Sequence, residues 1–140
     1  MTYATQADLT DRFGAPELAQ RTNRTDGLTI DTAVLGRALV DADAEIDSYL
    51  ATRYALPLVS SPVVLIRLAC DVARYRLYDD GVPTTVRQRY EDAVSLLKRL
   101  ASGEVQLADV SPAPAAGGSG NAVAARVPSR VFGVDRLQSY

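Results

Sequence analysis

The stretch from residue 62 to residue 78 reads PVVLIRLACDVARYRLY, and its pattern is typical of a buried helix. When its side chains are placed at about 100° per residue, Arg67, Asp71 and Arg74 share one narrow strip and nearly all the others are apolar. A helix that is apolar over most of its circumference is surrounded on several sides. We therefore predict that residues 62–78 form the centre of a helical domain or, alternatively, the centre of a contact between subunits.

Two longer amphipathic helices are predicted on either side of this stretch. The first is capped by Asp31 and runs to about residue 54, before the break at Leu56-Pro57-Leu58. The second opens at residues 83–85 and is closed by Gly103. Each carries one apolar stripe at helical spacing. In the first helix the stripe consists of Leu35, Ala38, Leu39, Ala42, Ile46, Tyr49 and Leu50.

Shorter elements complete the predicted fold. Thr5 with Asp8 three residues later has the spacing of a capping box for a helix that ends at residue 13. Pro16 suits the first turn of a second short helix through about residue 21, and Ser61 with Pro62 suits the start of the central one. Residues 105–107 are a candidate strand. The predicted class is mainly α, a small helical bundle with short extended segments and a C-terminal arm.

The composition divides the chain into three parts. We predict a helical domain over residues 1–107, a linker rich in Pro, Gly, Ser and Ala over 108–125, and an arm over 126–140. Residues 1–125 hold 12 basic and 16 acidic side chains, whereas the arm holds three arginines and one aspartate. The two parts therefore carry opposite net charge.

The arm interleaves apolar and basic residues, which is typical of a segment that orders on a partner. We predict that it docks through six residues, with a frayed end or a segment folded back on its own domain as the alternatives. The six are Arg130, Val131, Phe132, Arg136, Leu137 and Tyr140.

Several function classes are excluded by composition. The 140 residues include no histidine and only one cysteine, so imidazole catalysis, an internal disulfide and a Cys/His zinc site are ruled out. A net charge of −2 is unlike that of a protein built to neutralise many phosphates. No signal peptide or membrane-spanning run is predicted. We expect neither enzymatic activity nor a cofactor.

Four acidic residues cluster at positions 41, 43, 45 and 47. On a helix, Asp41 and Glu45 lie on one side of the apolar stripe and Asp43 and Asp47 on the other. Because the two pairs point away from each other, they cannot converge on one metal ion. We predict that they are the solvated flanks of a buried stripe and that the chain has no metal site.

Two arginines occupy apolar faces of the predicted helices. Arg53 lies within the stripe of the first long helix, and Arg76 lies on an apolar face of the central helix. Since an unpaired buried charge is costly, each needs an acceptor. The interpretations are a snorkelling side chain, a local pair with Asp47 or Asp71, or a pair with an acid from another subunit. Arg67, Asp71 and Arg74, at spacings of four and three residues, are predicted to form a network on the helix surface.

Basic residues on the last helix leave open a second class of function. Arg87, Arg89, Lys98 and Arg99 lie there, but they are interleaved with Glu91, Asp92 and Glu104. Sequence-specific DNA binding is therefore weakly supported. The alternative to a structural protein is a small helical regulatory or DNA-binding module.

Four segments resemble the Mu-type prophage head–tail adaptor proteins. They are YATQADL at 3–9 with RFG at 12–14, DAEIDSYLATRYALPL at 43–58, ACDVARY at 69–75, and RVF at 130–132. The resemblance implies the α-helical fold of head-completion adaptors and a virion structural protein. It implies a ring of copies, twelve by analogy, beneath the portal, which extends the DNA channel to the tail.

The same resemblance implies a set of partners and a location. The partners are the portal protein, neighbouring copies in the ring, and a tail-side stopper or tail-terminator protein. DNA passes through the lumen without sequence-specific binding. The expected location is the neck of the virion, after synthesis in the host cytoplasm.

Overall fold

The computed structural model describes residues 2–114, which fold into five α-helices. Their order along the chain is α1 (Gln6–Phe13), α2 (Ala15–Thr22), α3 (Thr32–Leu50), α4 (Val63–Leu77) and α5 (Thr84–Ser102). The mainly α helical bundle that the sequence predicts is therefore confirmed.

Helix α4 is the central element of the bundle. It packs against α1, α3 and α5, and six consecutive residues, 68–73, are buried. The sequence pattern left open whether this helix is central to a domain or to a subunit contact, and the structure places it at the domain centre. Its Cys70 is a packed thiol, and burial raises the pKa of that thiol to about 11.

The helix starts follow the capping signals in two places. The Thr5 side chain accepts a hydrogen bond from the Asp8 N–H while the Asp8 carboxylate accepts from the Thr5 N–H, which makes the predicted capping box. Asp31 accepts from two backbone N–H groups of the first turn of α3. Helix α4 differs, since Pro62 rather than Ser61 is its N-cap and no side chain caps it.

Helix α3 ends at Leu50, four residues earlier than predicted. The chain tightens there, because the Arg53 N–H donates to the Leu50 carbonyl three residues back, at 3.0 Å. Residues 51–53 form turns, and a cis peptide bond follows between Leu56 and Pro57.

The strand predicted at residues 105–107 was wrong, since no residue of the described range 2–114 lies in a strand. The Val105 N–H donates to the Arg99 carbonyl at 3.2 Å, and the Leu107 N–H donates to the Tyr54 hydroxyl at 3.0 Å. Leu107 is buried by this tertiary contact, so its apolar character reflects packing rather than a sheet.

The packed chain continues beyond residue 107. Val110 is buried in the core, and the Ala113 N–H donates to the Arg53 carbonyl at 2.7 Å. The rest of the predicted linker and the whole arm over 126–140, with its six predicted contact residues, lie outside the described residues. Among the helices within 2–114, none has the length and apolar character needed to span a membrane.

Candidate functional site

The acidic cluster of α3 proves to be a set of structural acceptors. Asp43 accepts a hydrogen bond from the Tyr3 N–H at 3.0 Å, and Asp47 accepts one from the Tyr3 hydroxyl. Burial and the Asp47 hydrogen bond both raise the pKa of Tyr3. The two carboxylates therefore fix the N-terminal segment on α3, and the prediction that Asp43 is solvated was wrong because it is buried.

Glu45 ties three helices together. Its carboxylate accepts from the Arg76 guanidinium of α4 at 2.9 Å and from the Tyr90 hydroxyl of α5 at 2.7 Å. The Tyr90 ring stacks on Tyr75 with centroids 4.0 Å apart. Burial and the bond to Glu45 raise the pKa of Tyr90 to about 12. Of the two residues on this side of α3, only Asp41 is exposed as predicted.

The two sides of the stripe diverge as predicted, since Asp43 and Asp47 meet the N-terminal segment while Glu45 meets α4 and α5. Within residues 2–114 no group of three or more acidic or cysteine side chains is placed to hold a metal ion.

Arg74 forms the best-buried ion pair of the described chain, and its partner is on another helix. The guanidinium donates two hydrogen bonds, at 2.8 and 2.9 Å, to the two carboxylate oxygens of Glu17. It also lies over the Phe13 ring, 4.2 Å from the centroid. The predicted surface network with Asp71 was therefore wrong, because Arg74 turns towards α2 and α1.

The other two singled-out arginines also differ from the prediction. Arg76 pairs with Glu45 rather than with Asp47 or Asp71, because those carboxylates face other elements. Arg53 makes no ion pair within 4.0 Å in the part of the chain that the structure describes. Its guanidinium instead covers Gly103, where an added Cβ would lie 1.5 Å from a terminal guanidinium nitrogen.

Asp71 is buried on α4 and faces several cations. It makes no ion pair within 4.0 Å with a described residue, yet Arg89, Arg67 and Arg12 all act on it electrostatically. Burial raises the pKa of Asp71, and the neighbouring guanidinium groups oppose that rise. The Asp71 carboxyl therefore lies among the arginines of a positively charged depression.

This depression, the arginine cleft, lies between α1, α4 and α5 and encloses about 700 Å³. Four exposed arginines and two aspartates line it above apolar side chains. The residues that line it are Arg12, Phe13, Arg67, Leu68, Asp71, Arg89, Asp92, Ala93, Ser95, Leu96 and Arg99. Its four arginines come from three helices, so inspection of one helix at a time did not predict it.

The cleft is suited to bind an anionic group. A guanidinium offers a planar fork of N–H donors that matches the two oxygens of a carboxylate or phosphate. Arg12, Arg67 and Arg89 form no ion pair with any residue in 2–114, and Arg99 has only a half-exposed contact of 3.4 Å with Glu104. Most of its donors are therefore available to a ligand.

The burial of Asp43 leads to a prediction about pH. Burial raises its pKa above the ordinary value of 3.8. Between 3.8 and the raised value the folded chain holds more protons than the unfolded chain, so this group lowers stability as the pH rises through that window. Asparagine cannot ionise but still accepts from the Tyr3 N–H. We expect Asp43→Asn to be more stable than wild type above the window and to lose this part of the pH dependence.

Urea unfolding between about pH 3 and pH 7 measures this effect. Asp41→Asn is the matched control because it makes the same change on the exposed flank of the same helix, and it should keep the wild-type profile. A lower stability of Asp43→Asn at neutral pH would contradict the prediction.

Comparison with known proteins places the chain among phage proteins. Residues 3–125 match the family described as Bacteriophage Mu, Gp36, a range that includes the whole arginine cleft. The Mu-like prophage FluMu protein gp36 of Haemophilus influenzae is 39% identical over 105 residues, which cover 75% of this chain and 74% of that protein. Gene product J of Escherichia phage Mu is 38% identical over 106 residues, which cover 74% of each chain. The match spans well over half of the chain, so the chain belongs to the Mu Gp36 family of phage proteins.

Proposed function

We propose that the chain is a structural component of a phage virion, a head–tail adaptor that forms a ring beneath the portal and extends the DNA channel to the tail. The observation that carries the proposal is the family match over residues 3–125, together with the 38% identity to gene product J of phage Mu. The role is that of an assembly component and involves no catalytic turnover.

Exposed apolar side chains support a role in assembly. Val59 lies in the segment before α4 and Val63 is the first residue of α4, with 91% and 73% of their surface exposed. Their burial against another protein would be favourable by the hydrophobic effect. The portal protein, a neighbouring copy and a tail-side stopper or tail-terminator protein are the proposed partners.

The charge of the domain supports the proposed channel. Residues 1–125 carry 16 acidic against 12 basic side chains. A wall of net negative charge repels the phosphate backbone, so DNA passes without being held. The proposed location is the neck of the virion, with synthesis in the host cytoplasm.

Electron microscopy of purified virions tests the proposal. A gold-labelled antibody against the full chain should mark the junction between head and tail, and the chain should be recovered from virions free of infected-cell extract. Label distributed over the capsid or tail shaft, or absence of the chain from purified virions, would reject the adaptor role.

The second candidate is a small helical regulatory or DNA-binding module. It is favoured by one observation, that Arg89 and Arg99 of α5 converge with Arg12 and Arg67 on one cleft. Binding of duplex DNA that weakens steeply with added salt, because phosphate contacts release counterions, would support this candidate. Virions that carry the chain at the neck would argue against it.

A further inference from the structure

Three of the four arginines that line the arginine cleft form no ion pair with a residue of the described range 2–114. Arg12, Arg67 and Arg89 are exposed and lack ion pairs within 2–114, whereas Arg74 and Arg76 of α4 are both paired with glutamates. The same domain has more acidic than basic residues. An excess of unpaired guanidinium groups in one concavity of an acidic domain marks that concavity as a recognition surface.

We infer that the arginine cleft binds an acidic segment of a partner protein through the carboxylates of its aspartate or glutamate side chains. Each carboxylate accepts two parallel N–H bonds from one guanidinium fork. Phe13 and Leu96 give the cleft an apolar lining that the aliphatic parts of such a segment cover. This inference goes beyond the proposed function, since it concerns a ligand class rather than a place in the virion.

The lining of the cleft favours a protein segment over DNA. A duplex carries one negative charge per about 1.7 Å of its axis, and it would bring many phosphates close to Asp71, Asp92 and the surrounding acidic surface. A short peptide places only a few carboxylates, spaced to meet the arginines and separated by apolar groups.

The segment that binds in the arginine cleft is not the arm of this chain or of a second copy. Residues 126–140 carry three arginines against one aspartate, so the arm has the same sign of charge as the unpaired side chains of the cleft. Like charges that meet at an interface oppose binding. The arm therefore does not supply the acidic segment that we propose.

The probe for this inference is a fluorescein-labelled peptide that alternates glutamate with alanine, and its counterpart that alternates glutamine with alanine. Binding to the full chain is measured by fluorescence anisotropy. We expect the glutamate peptide to bind and the glutamine peptide to bind at least about tenfold more weakly, since charge-assisted hydrogen bonds are the stronger kind.

Two double variants show whether the cleft is the site. Arg67→Gln with Arg89→Gln removes two cleft arginines, and we expect a loss of affinity of about tenfold or more. Arg87→Gln with Lys98→Gln removes the same charge from exposed positions of α5 outside the cleft, and we expect a change of less than about twofold. All four side chains are exposed, and circular dichroism verifies that both variants fold.

Conservative replacements distinguish the guanidinium fork from charge alone. Arg67→Lys with Arg89→Lys keeps the charge but removes the paired donors, so we expect affinity between that of wild type and the glutamine variant. Equal losses in the two glutamine variants would show that binding follows net charge, and this would overturn the inference. It would also be overturned if a labelled DNA duplex bound more tightly than the glutamate peptide and depended on the same cleft arginines.

Discussion

Replacing Glu17 with alanine should lower the free energy of unfolding by about 2–3 kcal/mol. The carboxylate accepts two hydrogen bonds from Arg74, and the two side chains are only 24% and 16% exposed. Its loss leaves a largely buried guanidinium over the Phe13 ring without its acceptor. Removal of one partner of such a pair costs more than the pair contributes, because the remaining charge stays desolvated. Urea unfolding followed by circular dichroism measures the change.

A second ion pair supplies the control. Arg24 and Asp79 lie 2.7 Å apart, which is closer than the first pair, but their side chains are 55% and 67% exposed. Double-mutant cycles with alanine should give a coupling energy of about 2 kcal/mol for Glu17 with Arg74 and below about 0.5 kcal/mol for Arg24 with Asp79. If the couplings were equal, distance rather than burial would set the strength of these pairs, contrary to our prediction.

The Glu17 pair also shows where prediction from sequence reaches its limit. The capped helix starts at Thr5 and Asp31 were predictable, because a capping residue and its N–H partners are only two or three positions apart. Glu17 and Arg74 are 57 positions apart, and only the packing of α2 on the bundle brings them together. The angular position of Arg74 on its own helix was readable from the sequence, but its partner was not.

The acidic residues on the two flanks of α3 show the same limit of prediction from sequence. The helical pattern correctly separated Glu45 from Asp43, and it correctly placed Asp43 and Asp47 on one side. The pattern predicted that all four carboxylates are exposed to solvent, because the sequence of one helix does not show which other segments cover its flanks. The N-terminal segment covers one edge, and Tyr90 of α5 covers part of the other.

The arginine cleft was missed for a related reason. Along α5 the basic residues alternate with acidic ones, so their charges were expected to offset each other. In the structure Arg89 and Asp92 line the cleft, whereas Glu91 does not. Arg12 and Arg67 then add positive charge from two other helices. Charge balance within one segment therefore does not predict the charge of a surface assembled from three.

Deletion of residues 126–140 should leave the domain folded and abolish attachment to the portal, on the proposed function. All buried residues of the described core lie between Tyr3 and Val110, and the chain is still tied to the domain at Ala113. The truncation therefore removes none of the residues that form the described core. What it removes is a set of apolar anchors and three arginines, whose contacts we propose to be with another protein. Circular dichroism and sedimentation of the truncated chain with portal measure the two effects.

Point variants separate the anchors from the charge of the arm. Phe132→Ala with Leu137→Ala keeps all three arginines and should reproduce the loss of attachment, because buried apolar anchors contribute most to interface affinity. Arg130→Gln with Arg136→Gln keeps the anchors and should weaken attachment only partly, with an effect that shrinks as salt is added. Normal tail attachment by particles built with the truncated chain would refute the docking role of the arm. A loss of helical signal on truncation would refute it too, because the segment would then belong to the fold rather than to an interface.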